Sequence, residues 1–313
     1  MRCVVTGCAG FIGSHLAEKL LEAGHSVIGI DSFSDYYDKQ IKKHNIKKAA
    51  ASANFMLIEG DILNLDLDSA MYDVELIFHQ AAQPGVRQSW GTNFGVYVHD
   101  NIMATQKILE FVKEKKIKKL IYASSSSVYG DTILPMKEDN VLKPVSPYGV
   151  TKLAAENLCY LYWKNYGVPV VSLRYFTVYG PRQRPDMAFH KFVKSILKNE
   201  EIIIYGNGEQ SRDFTYIADI IDANMKAVEI EVAGEVFNLG GGAQVSVNEI
   251  LKMLAEITGK TPQVKYIEEQ KGDVKNTRAD ISKANKILGY EPKMKLAQGL
   301  QEEVNWIKRV FGL

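Results

Sequence analysis

Cysteine is scarce. The chain has three, Cys3, Cys8 and Cys159, too few and too scattered for a disulfide framework, and they lack the paired spacing of a zinc site. No stretch approaches the length of apolar run that a transmembrane helix needs. The N-terminus enters a strand-like run at once, without the regions of a secretory signal. Charge of one sign is missing as well: 38 Lys+Arg against 37 Asp+Glu leave a net +1. Such a balance gives no broad field for nucleic acid or an anionic membrane, so an anionic ligand must be met by local arginines. With 24 glycines and 9 prolines in 313 residues, collagen-like and low-complexity readings fail. What is present is ordinary globular composition, 46% hydrophobic and 24% charged. At about 150 residues per domain this means one large or two modest domains. The expectation is a soluble protein of a reducing, cytoplasmic compartment with no metal.

Short apolar runs recur at residues 3–5, 27–30, 55–58, 76–78, 120–122 and 168–173. Stretches with helical periodicity lie between most of them, notably 11–21, 93–116 and 147–165. Continuous apolar strands alternating with helices indicate a parallel sheet buried on both faces, hence a doubly wound α/β domain. After Arg174 the character changes. Residues 180–185 form a breaker-rich loop, 189–197 read as a helix and 202–205 as a strand. The run 236–239, closed by three glycines, looks like a return to the central sheet. The expectation is an interleaved second domain, with 261–313 as a small lid-like region.

The run Thr6-Gly7-Cys8-Ala9-Gly10-Phe11-Ile12-Gly13 joins the first strand to the first helix. Glycines there let the backbone approach phosphates, and free N–H groups at the helix start face an anion. Alone this is a weak signal, since a tight strand–helix corner looks the same. Asp31, at the end of the second strand, strengthens it, because a carboxylate there accepts hydrogen bonds from the adenosine ribose. The same carboxylate would repel a 2′-phosphate, which selects NAD over NADP. Asp61 and Ile62, after the third strand, are placed to hold the adenine.

Tyr148 and Lys152 stand four residues apart, on one face of a helix. A free tyrosine, with a pKa of about 10, is a poor base near neutrality. A neighbouring lysine and a cationic ligand stabilise its phenolate and make it usable as an acid–base. The serines 124–127 fall at the end of the fifth strand, on the edge where open α/β sheets bind ligands.

Taken together, these motifs resemble the extended short-chain dehydrogenase/reductases over essentially the whole chain. Within them the runs Ser127-Val128-Tyr129-Gly130, Leu173-Arg174-Tyr175-Phe176 and Arg212-Asp213-Phe214 resemble the nucleotide-sugar epimerase and dehydratase branch. The resemblance implies a Rossmann sheet with a smaller interleaved substrate domain and NAD as cofactor. It assigns residues 1–175, with a return near 214–240, to the cofactor, and 176–213 and 241–313 to a UDP-sugar. It makes Tyr148, Lys152 and Ser125 catalytic. Gly7, Gly10, Phe11, Ile12, Gly13, Asp31, Asp61, Ile62, Ala81 and Asn101 serve the cofactor side, and Lys152 also bridges to the nicotinamide ribose. Arg212 would contact the diphosphate. A second phosphate arginine of many relatives is replaced here by Gln270, which leaves Arg278 as the fallback candidate. A homodimer through the helices 93–116 and 147–165 is also implied.

Two runs speak to the sugar. Arg184-Pro185-Asp186-Met187-Ala188-Phe189 and Ala81-Ala82-Gln83-x-Gly85-Val86-Arg87 resemble those of UDP-glucuronate 4-epimerases. This brings in Arg87 and Phe189, with Arg184 as the partner of a sugar carboxylate and Thr177 and Ser126 as neutral donors. The implied chemistry is transient oxidation at C4 and reduction on the other face, with NAD regenerated in each cycle. A UDP-glucuronate decarboxylase forming UDP-xylose, a UDP-glucose or UDP-N-acetylglucosamine 4-epimerase and, from another class, an NAD-sensing regulator on the same fold remain alternatives.

Overall fold

The computed structural model describes residues 1–269, 272 and 274–313. Among the described residues twelve strands run in chain order: β1 Arg2–Thr6, β2 Ser26–Asp31, β3 Phe55–Glu59, β4 Leu76–His79, β5 Lys119–Ser125, β6 Val170–Tyr175, β7 Thr177–Tyr179, β8 Glu201–Tyr205, β9 Ser211–Tyr216, β10 Glu235–Leu239, β11 Gln244–Ser246 and β12 Gln263–Ile267. The helices are α1 Phe11–Glu22, α2 Lys39–Ala50, α3 Leu67–Ala70, α4 Phe94–Tyr97, α5 Ala104–Lys113, α6 Pro147–Tyr166, α7 Ala188–Lys198, α8 Ile217–Glu229, α9 Val247–Thr258, α10 Ser282–Leu288 and α11 Leu296–Phe311. A π-helical turn, Val98–Met103, joins α4 to α5.

Seven strands form one parallel sheet in the order β10-β6-β5-β4-β1-β2-β3. The chain winds outward from β1 to β3, then crosses back to lay β4 on the other side of β1. A crevice opens beyond the carboxyl ends of β1 and β4, the topological switch point where doubly wound sheets bind ligands. The strands β1, β4, β5 and β6 are buried almost throughout, as a sheet covered on both faces requires. The return of 236–239 to this sheet is realised by β10, paired with β6.

Two small sheets, β11-β9-β7 and β12-β8, stand beside it. The segment 261–313 is not a detached lid. Its last helix, α11, sends Leu300, Val304, Trp306 and Ile307 into the same apolar cluster as Cys3, Val5 and Phe237 of the large sheet. The opposite face of this amphipathic helix carries its charged residues, among them Glu302, Lys308 and Arg309.

Candidate active site at the sheet switch point

The helix α1 begins with no side-chain cap: Gly10 occupies the capping position, and no acidic residue stands in the first turn. Its leading N–H groups therefore face the crevice with no carboxylate of their own to satisfy them. Close packing at this turn requires Gly13, since a Cβ there would lie 2.1 Å from the Gly7 carbonyl oxygen.

A buried hydrogen-bond chain anchors the turn. The Ala81 N–H donates to Thr6 Oγ1 (3.1 Å), and that hydroxyl donates to His79 Nδ1 (2.8 Å). The imidazole proton then sits on Nε2 and goes to Thr105 Oγ1 (3.0 Å), whose hydroxyl donates to the Asn101 carbonyl (2.6 Å). Burial drives His79 down to about 3, so the ring stays neutral and the chain keeps this direction. Asn101 itself bonds both backbone groups of Gln83 (2.7 and 3.2 Å) and Thr151 Oγ1 (2.9 Å). It supports the cleft wall from behind and does not line it.

The crevice gathers Gly7, Gly10, Phe11, Ile12, Gly13, Asp31, Asp61, Ile62 and Ala81 with Tyr148, Lys152 and Arg184. Asp31 is buried; its Oδ2 accepts from the Ala9 N–H (3.0 Å) and its Oδ1 from the Phe33 N–H (2.8 Å). Lys42, buried on α2, brings its ammonium within 3.5 Å of Asp31 and lines the same crevice. Nothing in the sequence separates Lys42 from Lys39, Lys43, Lys47 and Lys48 on that helix; only burial distinguishes it.

Tyr148 and Lys152 lie one turn apart at the start of α6, which Ser146 caps by accepting from the Gly149 N–H (3.1 Å). Gly149 lets this helix press against the end of β5, because a Cβ there would lie 2.4 Å from the Ser127 carbonyl oxygen. Ser125 consequently stands beside Tyr148, close enough for its hydroxyl to act on the phenol. Burial pushes the Tyr148 phenol up, while the Ser125 hydroxyl and the Arg184 charge pull it down. Lys152 follows one turn further along the same helix. Its ammonium donates to the Ala123 carbonyl and stands 4.5 Å from the Tyr122 ring centre, and burial lowers it to about 8.

One turn beyond Lys152, Glu156 takes the Arg174 guanidinium at both carboxylate oxygens (2.6 and 3.0 Å) and the Ser124 hydroxyl at 2.5 Å. Arg174 also donates to the Tyr129 hydroxyl (2.8 Å). The runs around Tyr129 and Arg174 thus form a buried ionic support under the serine edge. Extending the four-residue spacing from Tyr148 through Lys152 would have found Glu156.

The remaining sequence candidates are dispersed. Ser126 opens a short 3-10 turn after β5, and Thr177 begins β7 two residues beyond Tyr175, which lines the crevice. The Arg87 guanidinium sits 4.2 Å from the Tyr205 ring centre. Arg212 on β9 donates to the carbonyls of Ser211 (3.0 Å) and Lys275 (2.9 Å), and Arg278 is exposed nearby. Phe189 departs from expectation. Its ring is buried against Phe214, with centroids 4.5 Å apart, and is core; only its backbone is left for a ligand. Gln270 lies outside the described residues.

A model of the NAD dependent epimerase/dehydratase family matches residues 3–240. The chain belongs to this family. It is 47% identical to UDP-glucuronic acid 4-epimerase from Bacillus cereus, solved in complex with UDP-glucuronic acid and NAD. That likeness has a TM-score of 0.97 and covers 99% of this chain and 100% of that one. It is also 42% identical over 310 residues to UDP-glucuronate 4-epimerase of Thermodesulfobacterium geofontis, covering 97% of this chain and 95% of that protein. A third relative, 43% identical over 313 residues with 99% of both chains covered, is an uncharacterized UDP-glucose epimerase of Bacillus subtilis. Both acidic and neutral sugars thus occur among the names of similar epimerases.

The family's cofactor is NAD, and the cleft fits it. The uncapped helix start and the glycine turn suit a pyrophosphate, and the Asp31 carboxylate suits ribose hydroxyls. Because Lys42 offsets part of the Asp31 charge, we expect the preference for NAD over NADP to be on the order of tenfold, and Asp31→Asn to narrow it. Calorimetry with both nucleotides checks this; tighter NADP binding by the unaltered protein would contradict it.

Proposed function

We propose that this family member is an isomerase, interconverting UDP-glucuronate and UDP-galacturonate at C4. The observation that carries the reading is a guanidinium, Arg184, on the same cleft as Tyr148. A uronic acid brings a carboxylate on C5, and a fixed cation beside it offsets the cost of desolvating that charge. The names of two of the similar epimerases support the same substrate.

Bound NAD supplies a reversible hydride acceptor for C4. Tyr148 takes the proton of the C4 hydroxyl and later returns it, on whichever face the hydroxyl lies. Ser125, beside the phenol, assists that proton transfer and helps to bring the phenol's pKa down. The Lys152 ammonium, buried beside the serine edge, serves the cofactor ribose. Thr177 and Ser126 donate to the sugar, Arg212 meets the diphosphate with Arg87 and Arg278 beside it, and Phe189 contributes through its backbone. In this reading residues 1–175 and 214–240 hold NAD, while 176–213 and 241–313 hold the UDP-sugar. The large sheet, which takes β1 to β6 and β10, supports that division.

A neutral-sugar 4-epimerase is the second reading, because Asp186 already pairs with Arg184. Comparing kcat/KM for UDP-glucuronate and UDP-glucose separates the two. The acidic substrate should be preferred; preference for UDP-glucose would favour the second reading.

We also infer a homodimer. Val96, Met103, Val150, Tyr160 and Leu161 are exposed along α4, the π-turn and α6, more apolar surface than solvated helices need. A solution mass of twice 35.1 kDa is expected, and a monomer at micromolar concentration would contradict it. No helix among the described residues is long and apolar enough to cross a membrane. All three cysteines are buried and unpaired, which fits a cytoplasmic, reducing setting.

A further inference from the structure

Arg184 is not a waiting cation. Its Nε donates to Asp186 Oδ1 at 2.9 Å and its Nη2 to Oδ2 at 3.0 Å, a bidentate pair that covers one whole edge of the guanidinium. The pair is built locally. The Met187 N–H closes a turn on the Arg184 carbonyl (3.1 Å), with Pro185 between the two charged residues. Both side chains are mostly covered, at 21% and 25% exposure, so solvent screens them only in part. Asp186 Oδ2 also accepts from the Tyr36 hydroxyl (3.2 Å), and Tyr36 belongs to the loop that follows Asp31.

We propose that Asp186 is an internal counter-ion that competes with the sugar carboxylate for Arg184, and so sets how strongly the site prefers acidic over neutral UDP-sugars. The proposal rests on the reading of Arg184 as the carboxylate's partner. A sugar carboxylate must either take the remaining edge against the charge of Asp186 or displace it. Either route weakens its binding. A neutral sugar disturbs nothing, because the guanidinium beside it is already paired. When displaced, Asp186 keeps the Tyr36 hydroxyl as a donor, which limits the cost of the exchange. Since substrate and product both carry the carboxylate, the weakened hold also eases product release.

Binding of UDP-glucuronate and UDP-glucose to the NAD-loaded protein is measured by calorimetry for Asp186→Asn, Arg184→Ala and the double variant. Asp186→Asn should tighten UDP-glucuronate roughly tenfold, the scale for one partly screened charge beside a site. It should leave UDP-glucose within about twofold, because no charge is met there. In the Arg184→Ala background the same substitution should have a clearly smaller effect, since the competition is gone and only the direct repulsion by Asp186 is relieved. Unchanged or weaker UDP-glucuronate binding by Asp186→Asn, with Arg184→Ala still damaging, overturns the proposal and leaves Asp186 as a group that orients Arg184. Intact UDP-glucuronate binding by Arg184→Ala overturns the reading of Arg184 itself. Asp186→Ser is measured alongside, so that a folding defect in one variant does not remove the comparison.

Discussion

Tyr148→Phe is expected to lower turnover by roughly 10²–10⁴ and to leave NAD bound, the range that loss of a general base produces. The phenol is the group that the proposed chemistry uses to exchange a proton with the C4 hydroxyl. It stands beside Ser125, and Gly149 brings it there by letting α6 approach the end of β5. Phenylalanine keeps the ring and its edge contact with Tyr97, at 6.2 Å between centroids, so packing is largely preserved. The loss should therefore fall on kcat, with little change in the melting temperature. Near-normal turnover would remove Tyr148 from the chemistry. The burial that raises the phenol is opposed by Ser125 and by the Arg184 charge. Arg184 thus bears on the acid–base as well as on the sugar.

Arg184→Ala should impair UDP-glucuronate turnover 10- to 100-fold more than turnover of any neutral UDP-sugar accepted, since a charge-assisted hydrogen bond contributes about 1.5–3 kcal/mol. A second effect follows from the chemistry of the acidic substrate. Its 4-keto form is a β-keto acid, which loses CO₂ when the carboxylate bond aligns with the carbonyl π system. An epimerase must hold the carboxylate out of that alignment. Releasing it should let part of the intermediate leave as a UDP-pentose, measurable by chromatography together with CO₂. Equal loss on acidic and neutral sugars, without pentose, would take the sugar carboxylate away from Arg184 and leave it a role in its loop or beside Tyr148.

Much of this site was legible because its parts are local. The glycine turn, the carboxylate closing β2 and the four-residue Tyr148–Lys152 spacing each express one backbone geometry, and the structure brings these residues to one crevice. The helix α6 ends within one residue of the sequence expectation, as a capped helix with Pro147 at its start should. What stayed hidden depends on distant contacts. Residues 93–116 read as one helix, yet the chain there makes α4, a π-turn and α5. The π-turn carries Asn101 to Gln83 and Thr151, partners that lie far away in sequence. Lys42 was hidden among the other lysines of α2, because only the fold buries it. Phe189 sits in a run that resembles a sugar site, but its ring is needed by the core formed with Phe214 and Tyr179. Asp186 reads in the sequence as part of a motif; that it closes on Arg184 is a property of the turn.

The most direct test of the account runs the reaction from both ends. The protein is incubated separately with UDP-glucuronate and with UDP-galacturonate, and the nucleotide sugars are separated by chromatography. The account predicts that both incubations converge on the same mixture of the two epimers, with NAD needed only in catalytic amount and little pentose formed. Conversion of UDP-glucuronate chiefly to UDP-xylose with CO₂, or no conversion of either uronate while UDP-glucose is epimerised, would contradict it.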